Sequence, residues 1–550
     1  MRKEVLLCLC LAMAPVWTTP VQTDSGPVVV LKHGSVRGQY VKVKGSEKVV
    51  EQYLGIPFAQ PPVGPLRLAA PDPVQGWEGI RNATQLPPMC LQNPDIVPLV
   101  GEAMKLNITT TGVSEDCLYL DVYTPSQRLE SEKHSVMVWI HGGSLVFGGS
   151  SMFDGSPLAA YESIVVVVIQ YRLGMLGYFS TGDKLAQGNW GFLDQIAALQ
   201  WVQENIEGFG GDPQSVTVAG ESAGGISASF LTLSPMTKGL FHRAIFQSGV
   251  ANTIGYTIKD PLMFAKVVAN VTECDFSTSE VLVKCIKELT EEQIINATKK
   301  KHIFPGAAVD GVFLKAPPEE ILKSKDFQKV PILIGTTNHE FGWMLAQDVV
   351  SKGWAKGMDT KSVKAILDIV NKAGRSGFNE FLVEEYLKDA KTPEDIRDAF
   401  TEMMGDSFIV IPSIMVASQH RDAGVPVYMY EFQHRPSIFK DLRPSFVKAD
   451  HADEVGFVFG ACFWDGHVKT EGTLSEEENQ LCRTVMGYWA NFIRTGSPNG
   501  PRLVHWPVYD QSNKYMNLGL QQTEGQGLKM GKLLFFTVEL PKKLAGLHTA

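Results

Sequence analysis

The chain alternates short apolar runs with longer amphipathic stretches. Val136 to Ile140 (VMVWI), Ile164 to Ile169 (IVVVVI) and Ser215 to Ala219 (SVTVA) contain no charged position. A strand with one face in water alternates apolar and polar residues, so these runs predict strands buried on both faces, the habit of a parallel sheet. Arg243 to Phe246, Val330 to Ile334 and Val425 to Phe432 are read as further strands. Between the runs the period changes. Phe192, Ile196, Leu199, Val202 and Ile206 are spaced 4, 3, 3 and 4, which is one apolar helix face, and Gly208 with Gly210-Gly211 closes it. Asn189 and Trp190 stand at its start, where a structural role is expected. Strands alternating with helices predict a mostly parallel central sheet with helices on both faces. Residues 250–325 and 345–420 are richer in charged, helix-forming sequence and read as helical insertions that wall the site. No linker separates independent domains, so one domain over 21–550 is expected.

Two glycine-rich turns sit where these strands end. Gly220-Glu221-Ser222-Ala223-Gly224 follows the run at 215–219, and Gly225 to Leu233 reads as the next helix. A strand-to-helix turn this tight strains the backbone at Ser222 and needs small residues two before and two after it. The turn lifts the Ser222 hydroxyl clear of the sheet. His141-Gly142-Gly143 follows Val136 to Ile140 in the same way. Consecutive glycines can turn their N–H groups into a concavity for an oxyanion. Gly142, Gly143 and Ala223 are therefore the expected donors of an oxyanion hole. Either turn alone would read as an ordinary loop; the pair, in this order, points to a serine nucleophile.

Composition narrows the setting. The 550 residues are 44% hydrophobic and 20% charged, an ordinary globular balance. A net charge of −9 argues against nucleic acid or an anionic membrane surface as the main partner. Arg2-Lys3 and the apolar run Val5 to Trp17 read as a signal peptide ending near residue 20. Beyond it the longest apolar run is Ile164 to Ile169, far short of the ~20 residues a spanning helix needs, so no stable membrane insertion is expected.

Ordered blocks along nearly the whole chain resemble the type-B carboxylesterases, α/β-hydrolase enzymes of the vertebrate secretory-pathway kind. They include Tyr53-Leu54-Gly55-Ile56-Pro57-Phe58-Ala59, Ser114-Glu115-Asp116-Cys117-Leu118, Gln170-Tyr171-Arg172-Leu173-Gly174 and Phe209-Gly210-Gly211-Asp212-Pro213. Asn338-His339-Glu340-Phe341-Gly342, Lys448-Ala449-Asp450-His451-Ala452-Asp453-Glu454 and Tyr488-Trp489-Ala490-Asn491-Phe492 continue them. The resemblance implies an α/β-hydrolase fold and the catalytic order serine, acid, histidine. Position in the family selects Glu340 as the acid over Asp310 and Asp348. It selects His451 as the base over the other histidines that follow Glu340, which are His420, His434, His467, His505 and His548. Spacing alone does not choose among them, and His434, at the end of a strand, is a fair rival. Where the family usually has glycine after this histidine, this chain has Ala452. Glu221 and Ser248 match positions that support the triad, and Arg67 with Glu115 matches a structural salt bridge.

The same resemblance implies disulfides Cys90–Cys117 and Cys274–Cys285. It gives Cys462 and Cys482 no partner, so these are expected as free thiols. Sequons stand at Asn82, Asn107, Asn270 and Asn296. The C-terminus, Leu547-His548-Thr549-Ala550, keeps the first half of a His-x-Glu-Leu retention signal and lacks the Glu-Leu that completes it, so secretion is favoured over retention in the endoplasmic reticulum.

The implied function is hydrolysis of small-molecule carboxylic esters through an acyl-enzyme, with thioesters and amides as further substrates. No metal or organic cofactor is implied. Lipase or acyl-CoA hydrolase activity is the alternative within the family. A cholinesterase would need an aromatic residue in the first disulfide loop, and Leu91 to Asp116 contains none. A non-catalytic adhesion member would lack the nucleophile.

Overall fold

The computed structural model describes residues 26–127, 132–300, 305–370 and 377–547. Residues 1–20, expected to be a signal peptide, and His548 to Ala550 lie outside these. The central sheet has 11 strands: β1 (Gln39–Lys42), β2 (Val49–Pro57), β3 (Tyr119–Pro125), β4 (His134–Ile140), β5 (Val165–Ile169), β6 (Gly211–Glu221), β7 (Arg243–Gln247), β8 (Ile332–Thr337), β9 (Val427–Phe432), β10 (Lys514–Leu518) and β11 (Thr523–Gln526). In space they run β11-β10-β9-β8-β7-β6-β4-β5-β3-β2-β1. From β5 to β10 every neighbouring pair is parallel; the outer strands on both flanks pair antiparallel.

The apolar runs are explained by two cores, one on each face. Successive side chains of a strand point to opposite faces. Val136, Val138 and Ile140 of β4, with Val165, Val167 and Ile169 of β5, enter one cluster, which also takes Phe192, Ile196, Leu199, Val202 and Ile206. Those residues line the helix α1 (Trp190–Asn205) and the turn that ends it. Met137, Trp139, Val166 and Val168 enter the other, with Leu481, Val485, Trp489 and Phe492 of a C-terminal helix, Glu476–Thr495. Asn189 does serve the fold: its amide donates to Ala308 O and Asp310, each at 2.9 Å, and accepts from Ala308 N.

The two charged stretches carry their own helical clusters. Pro261–Thr272, Ser279–Glu288 and Glu291–Lys300 pack around the Cys274–Cys285 bond. A continuous helical run over residues 393–422 packs with Thr360–Val370, Phe378–Leu387 and Leu540–Gly546. By length and composition that run could cross a membrane, but 78% of its most apolar window is buried inside the protein. A Cβ placed on its Gly405 would touch Cβ of Glu340 at 3.4 Å, so this helix backs the loop after β8.

Cys90–Cys117 and Cys274–Cys285 are bonded as the resemblance implies. Cys462 and Cys482 are not free thiols: they form a third disulfide. The turn Ala461–Phe463 folds back against the first half of Glu476–Thr495, which brings the two sulfurs together. Asn82, Asn107, Asn270 and Asn296 are all exposed, as glycan acceptors must be.

Candidate active site

Ser222 links β6 to the helix α2 (Ala223–Leu233), and its backbone takes φ +55° and ψ −124°. A non-glycine residue there stores on the order of 1–3 kcal/mol of strain. The flanking glycines are forced by crowding. A Cβ on Gly224 would lie 2.0 Å from Ile140 O, and one on Gly220 would lie 2.4 Å from the Gly224 carbonyl carbon. The serine is fixed by Ser222 N donating to Gln247 O at 2.8 Å.

The loop after β4 meets this turn. A Cβ on Gly142 would stand 3.1 Å from Ser222 Cβ and 2.8 Å from Glu221 O. Gly143, Ser144 and Leu145 have φ of +96°, +54° and +61°. The bend is tied by Val146 N and Phe147 N, both donating to Gly143 O. His141 anchors it: its ring stacks on Tyr171, Nδ1 lies 2.8 Å from Gly142 O, and Tyr171 OH donates to the His141 carbonyl. Burial pushes this imidazole down to about 4, so it stays neutral. The N–H groups of Gly142, Gly143, Ser144 and Ala223 have no acceptor among the described residues. Ser144 is a further candidate donor that sequence reasoning missed. No sequence signal marked it, because its positive φ at a non-glycine position shows only in the structure.

Glu340 and His451, the expected acid and base, come from two other loops. Glu340, beyond β8, places Oε2 2.7 Å from His451 Nδ1. Its Oε1 accepts from Ser248 Oγ at 2.7 Å and Thr337 N at 2.6 Å, so both oxygens are committed. Glu340 and His451 are each 2% exposed. His451 Nε2 lies 3.1 Å from Glu221 Oε1, off the line of a hydrogen bond, and makes none among the described residues, with Ser222 Oγ or any other group. Glu454, fully buried, accepts from Gln247 Nε2 and Tyr430 OH and is a third carboxylate whose charge acts on the same imidazole. Burial alone would push His451 down; Glu221, then Glu340 and Glu454, outweigh it and hold His451 well above the usual 6.5. Burial also raises Glu221, so the two groups compete for one proton.

The rivals lie elsewhere. His434 Nε2 contacts Glu478 Oε1 at 2.9 Å, and Glu478 also caps the helix Glu476–Thr495 from Ser475. His420 is buried against Val416 O, His467 faces Phe153 O, and His505 is exposed. Asp310 accepts backbone N–H groups from Val312, Phe313 and Leu314 as a turn residue, and Asp348 lies on a short 3-10 helix. Arg67 donates to Glu115 at 2.7 Å and to the carbonyls of Ile286 and Leu289, bracing the first disulfide loop against a helix end.

Residues 25–536 match the family model described as "Carboxylesterase family". A human protein named cocaine esterase is 47% identical over 532 residues, covering 96% of this chain and 94% of that protein. A duck protein (Anas platyrhynchos) named fatty acyl-CoA hydrolase precursor, medium chain, is 47% identical over 522 residues, covering 94% and 92%. A pig protein (Sus scrofa) named liver carboxylesterase is 44% identical over 568 residues, covering 98% and 97%. A match of this length, on a mostly parallel sheet that presents a strained serine at a strand end, means that the chain belongs to the carboxylesterase family and is a carboxylic ester hydrolase with the α/β-hydrolase fold.

Proposed function

We propose that Ser222 is the nucleophile, His451 the general base and Glu340 the residue that orients it. The observation that carries this reading is the 2.7 Å contact from Glu340 to His451, on loops that meet over the Ser222 turn. Ser222 Oγ attacks the ester carbonyl as Nε2 takes its proton. Oxygen charge in the tetrahedral adduct falls on free N–H groups of Gly142, Gly143, Ser144 and Ala223. The alcohol departs with the proton from His451. Water, activated by the same imidazole, then releases the acid. His451 Nε2 makes no hydrogen bond among the described residues, and its contact with Ser222 Oγ forms as substrate fills the turn. Ser248 holds Glu340 in place. Glu221 stabilises the imidazolium.

The substrates we infer are small neutral esters, and the duck relative's printed name supports thioesters as well. The first disulfide loop has no aromatic to hold a quaternary amine, a contact of roughly 0.5–2 kcal/mol. A panel that varies the acyl group, the leaving group (alcohol or thiol) and its charge separately tests this. Choline esters should be hydrolysed no better than neutral isosteres of equal size. A strong preference for the charged ester would overturn the reading.

We also place the enzyme in the secretory pathway. Three disulfides and four exposed sequons support an oxidising, glycosylating compartment. Protein purified from expressing cells should carry glycans and map under non-reducing conditions to three intact cystines. Recovery of Cys90, Cys117, Cys274, Cys285, Cys462 and Cys482 as free thiols would exclude this.

A further inference from the structure

The residue before His451 points away from the reaction and is nonetheless among the most heavily bonded side chains near it. Asp450 is fully buried; its Oδ1 accepts from Trp343 N at 3.0 Å and its Oδ2 from Met344 N at 2.8 Å. Both donors lie just past Glu340, so one carboxylate on the histidine loop grips the backbone of the acid loop. Two more bonds run the same way: Ala449 N donates to Asn338 Oδ1 at 3.1 Å and Lys448 N to His339 Nδ1 at 3.2 Å. Asp450 is itself held. Its N–H donates to Asp453 Oδ2 at 2.8 Å, and Arg443 Nη1 sits 2.8 Å from both oxygens of Asp453 and 3.8 Å from Asp450 Oδ2. The Arg443 side chain is 1% exposed and stacks 3.6 Å over the Phe439 ring.

A buried arginine with two acids is a poor stabiliser, since desolvation offsets most of the Coulomb attraction and apolar residues of similar volume would serve as well. What such a cluster does supply is a fixed geometry. The Glu340–His451 contact joins loops that follow different strands, and a slip of about 1 Å between catalytic groups can cost on the order of 100-fold in rate.

We propose that Asp450, held by the buried Arg443–Asp453 pair, is a positioning residue that locks the Glu340 loop to the His451 loop. The proposal rests on the triad reading above, and its test separates the two. Asp450→Asn keeps the volume and leaves Arg443 paired with Asp453, but turns an amide N–H₂ toward a backbone donor. Activity on an activated neutral ester is measured per mole of protein folded by near-ultraviolet circular dichroism, in the native and the Glu340→Gln backgrounds. In the native background kcat should fall about 10- to 100-fold with KM within about threefold. In Glu340→Gln the same change should cost less than about threefold, because the contact it positions is already gone. An equal loss in both backgrounds, no loss of kcat, or a loss confined to KM would overturn the lock while leaving the triad standing. Near-native kcat in Glu340→Gln alone would overturn the triad reading and the lock with it. If Asp450→Asn does not fold, Asp450→Ser goes through the same cycle; if neither folds, the residue is purely structural and the proposal is wrong.

Discussion

Ser222→Ala should abolish turnover of simple esters, with a loss of roughly 10⁴–10⁶-fold in kcat. The turn that presents Ser222 has a strained backbone and glycines that accept no side chain, so no neighbouring hydroxyl can take its place. What remains in the variant is the ~10³–10⁴-fold advantage over water that the donor cluster and binding supply. A fluorophosphonate should label Ser222 at one mole per mole and stop hydrolysis as it does so. Label on another serine, or turnover within an order of magnitude of the native enzyme, would remove Ser222 from the mechanism. The variant should fold about as well as the parent, because alanine carries the same Cβ that the strained backbone already accommodates.

His451→Ala should match Ser222→Ala within about one order of magnitude in kcat, since nucleophile and base act as a unit. His434→Ala should change kcat by less than about fivefold and show its effect in thermal stability instead. Its partner Glu478 is a buried cap whose carboxylate is held down to about 2 by His434, Ser437 and Ser475, although burial pushes the other way. A dead His434→Ala with an active His451→Ala would reverse the assignment. The base also sets the pH response. A carboxylate beside an imidazole favours its protonated form, and only neutral imidazole accepts the serine proton. The acid limb of kcat/KM should therefore lie above pH 6.5, and Glu221→Gln should move it to lower pH. A limb that Glu221→Gln leaves in place would show that Glu221 does not act on His451.

The strands that carry the site were legible because burial on both faces leaves no room for polar alternation. Their ends were less so. Val330 to Ile334 and Val425 to Phe432 begin in the structure at Ile332 and Val427 and run to Thr337 and Phe432. Pro331 and Pro426 have no N–H to give to the ladder, so pairing starts one residue later. The helix after Ser222 starts at Ala223 rather than Gly225, since glycines in a first turn are tolerated when close packing demands them. Glu340 and His451 were selected only through resemblance: a glutamate three residues past a strand and a histidine in a polar loop carry no local signal. Glu454 and Asp450 were quoted in a matching block but carried no expectation, because their importance depends on what the loops around Glu340 and Gln247 place beside them. The Cys462–Cys482 pairing was hidden for the same reason. It needs the turn at 461–463 to return onto a helix whose direction no pattern in those residues announces.

The order of the three cystines has a consequence for biosynthesis. The six cysteines among the described residues allow 15 pairings, and they use the one in which each joins the next along the sequence: 90 to 117, 274 to 285, 462 to 482. A ribosome delivers on the order of 5–20 residues per second from the N-terminus. Each pair can therefore find itself and close before the following pair has been made. In an oxidising compartment, oxidation would then proceed vectorially, with few wrong cross-links to undo, and a disulfide isomerase would have little to correct.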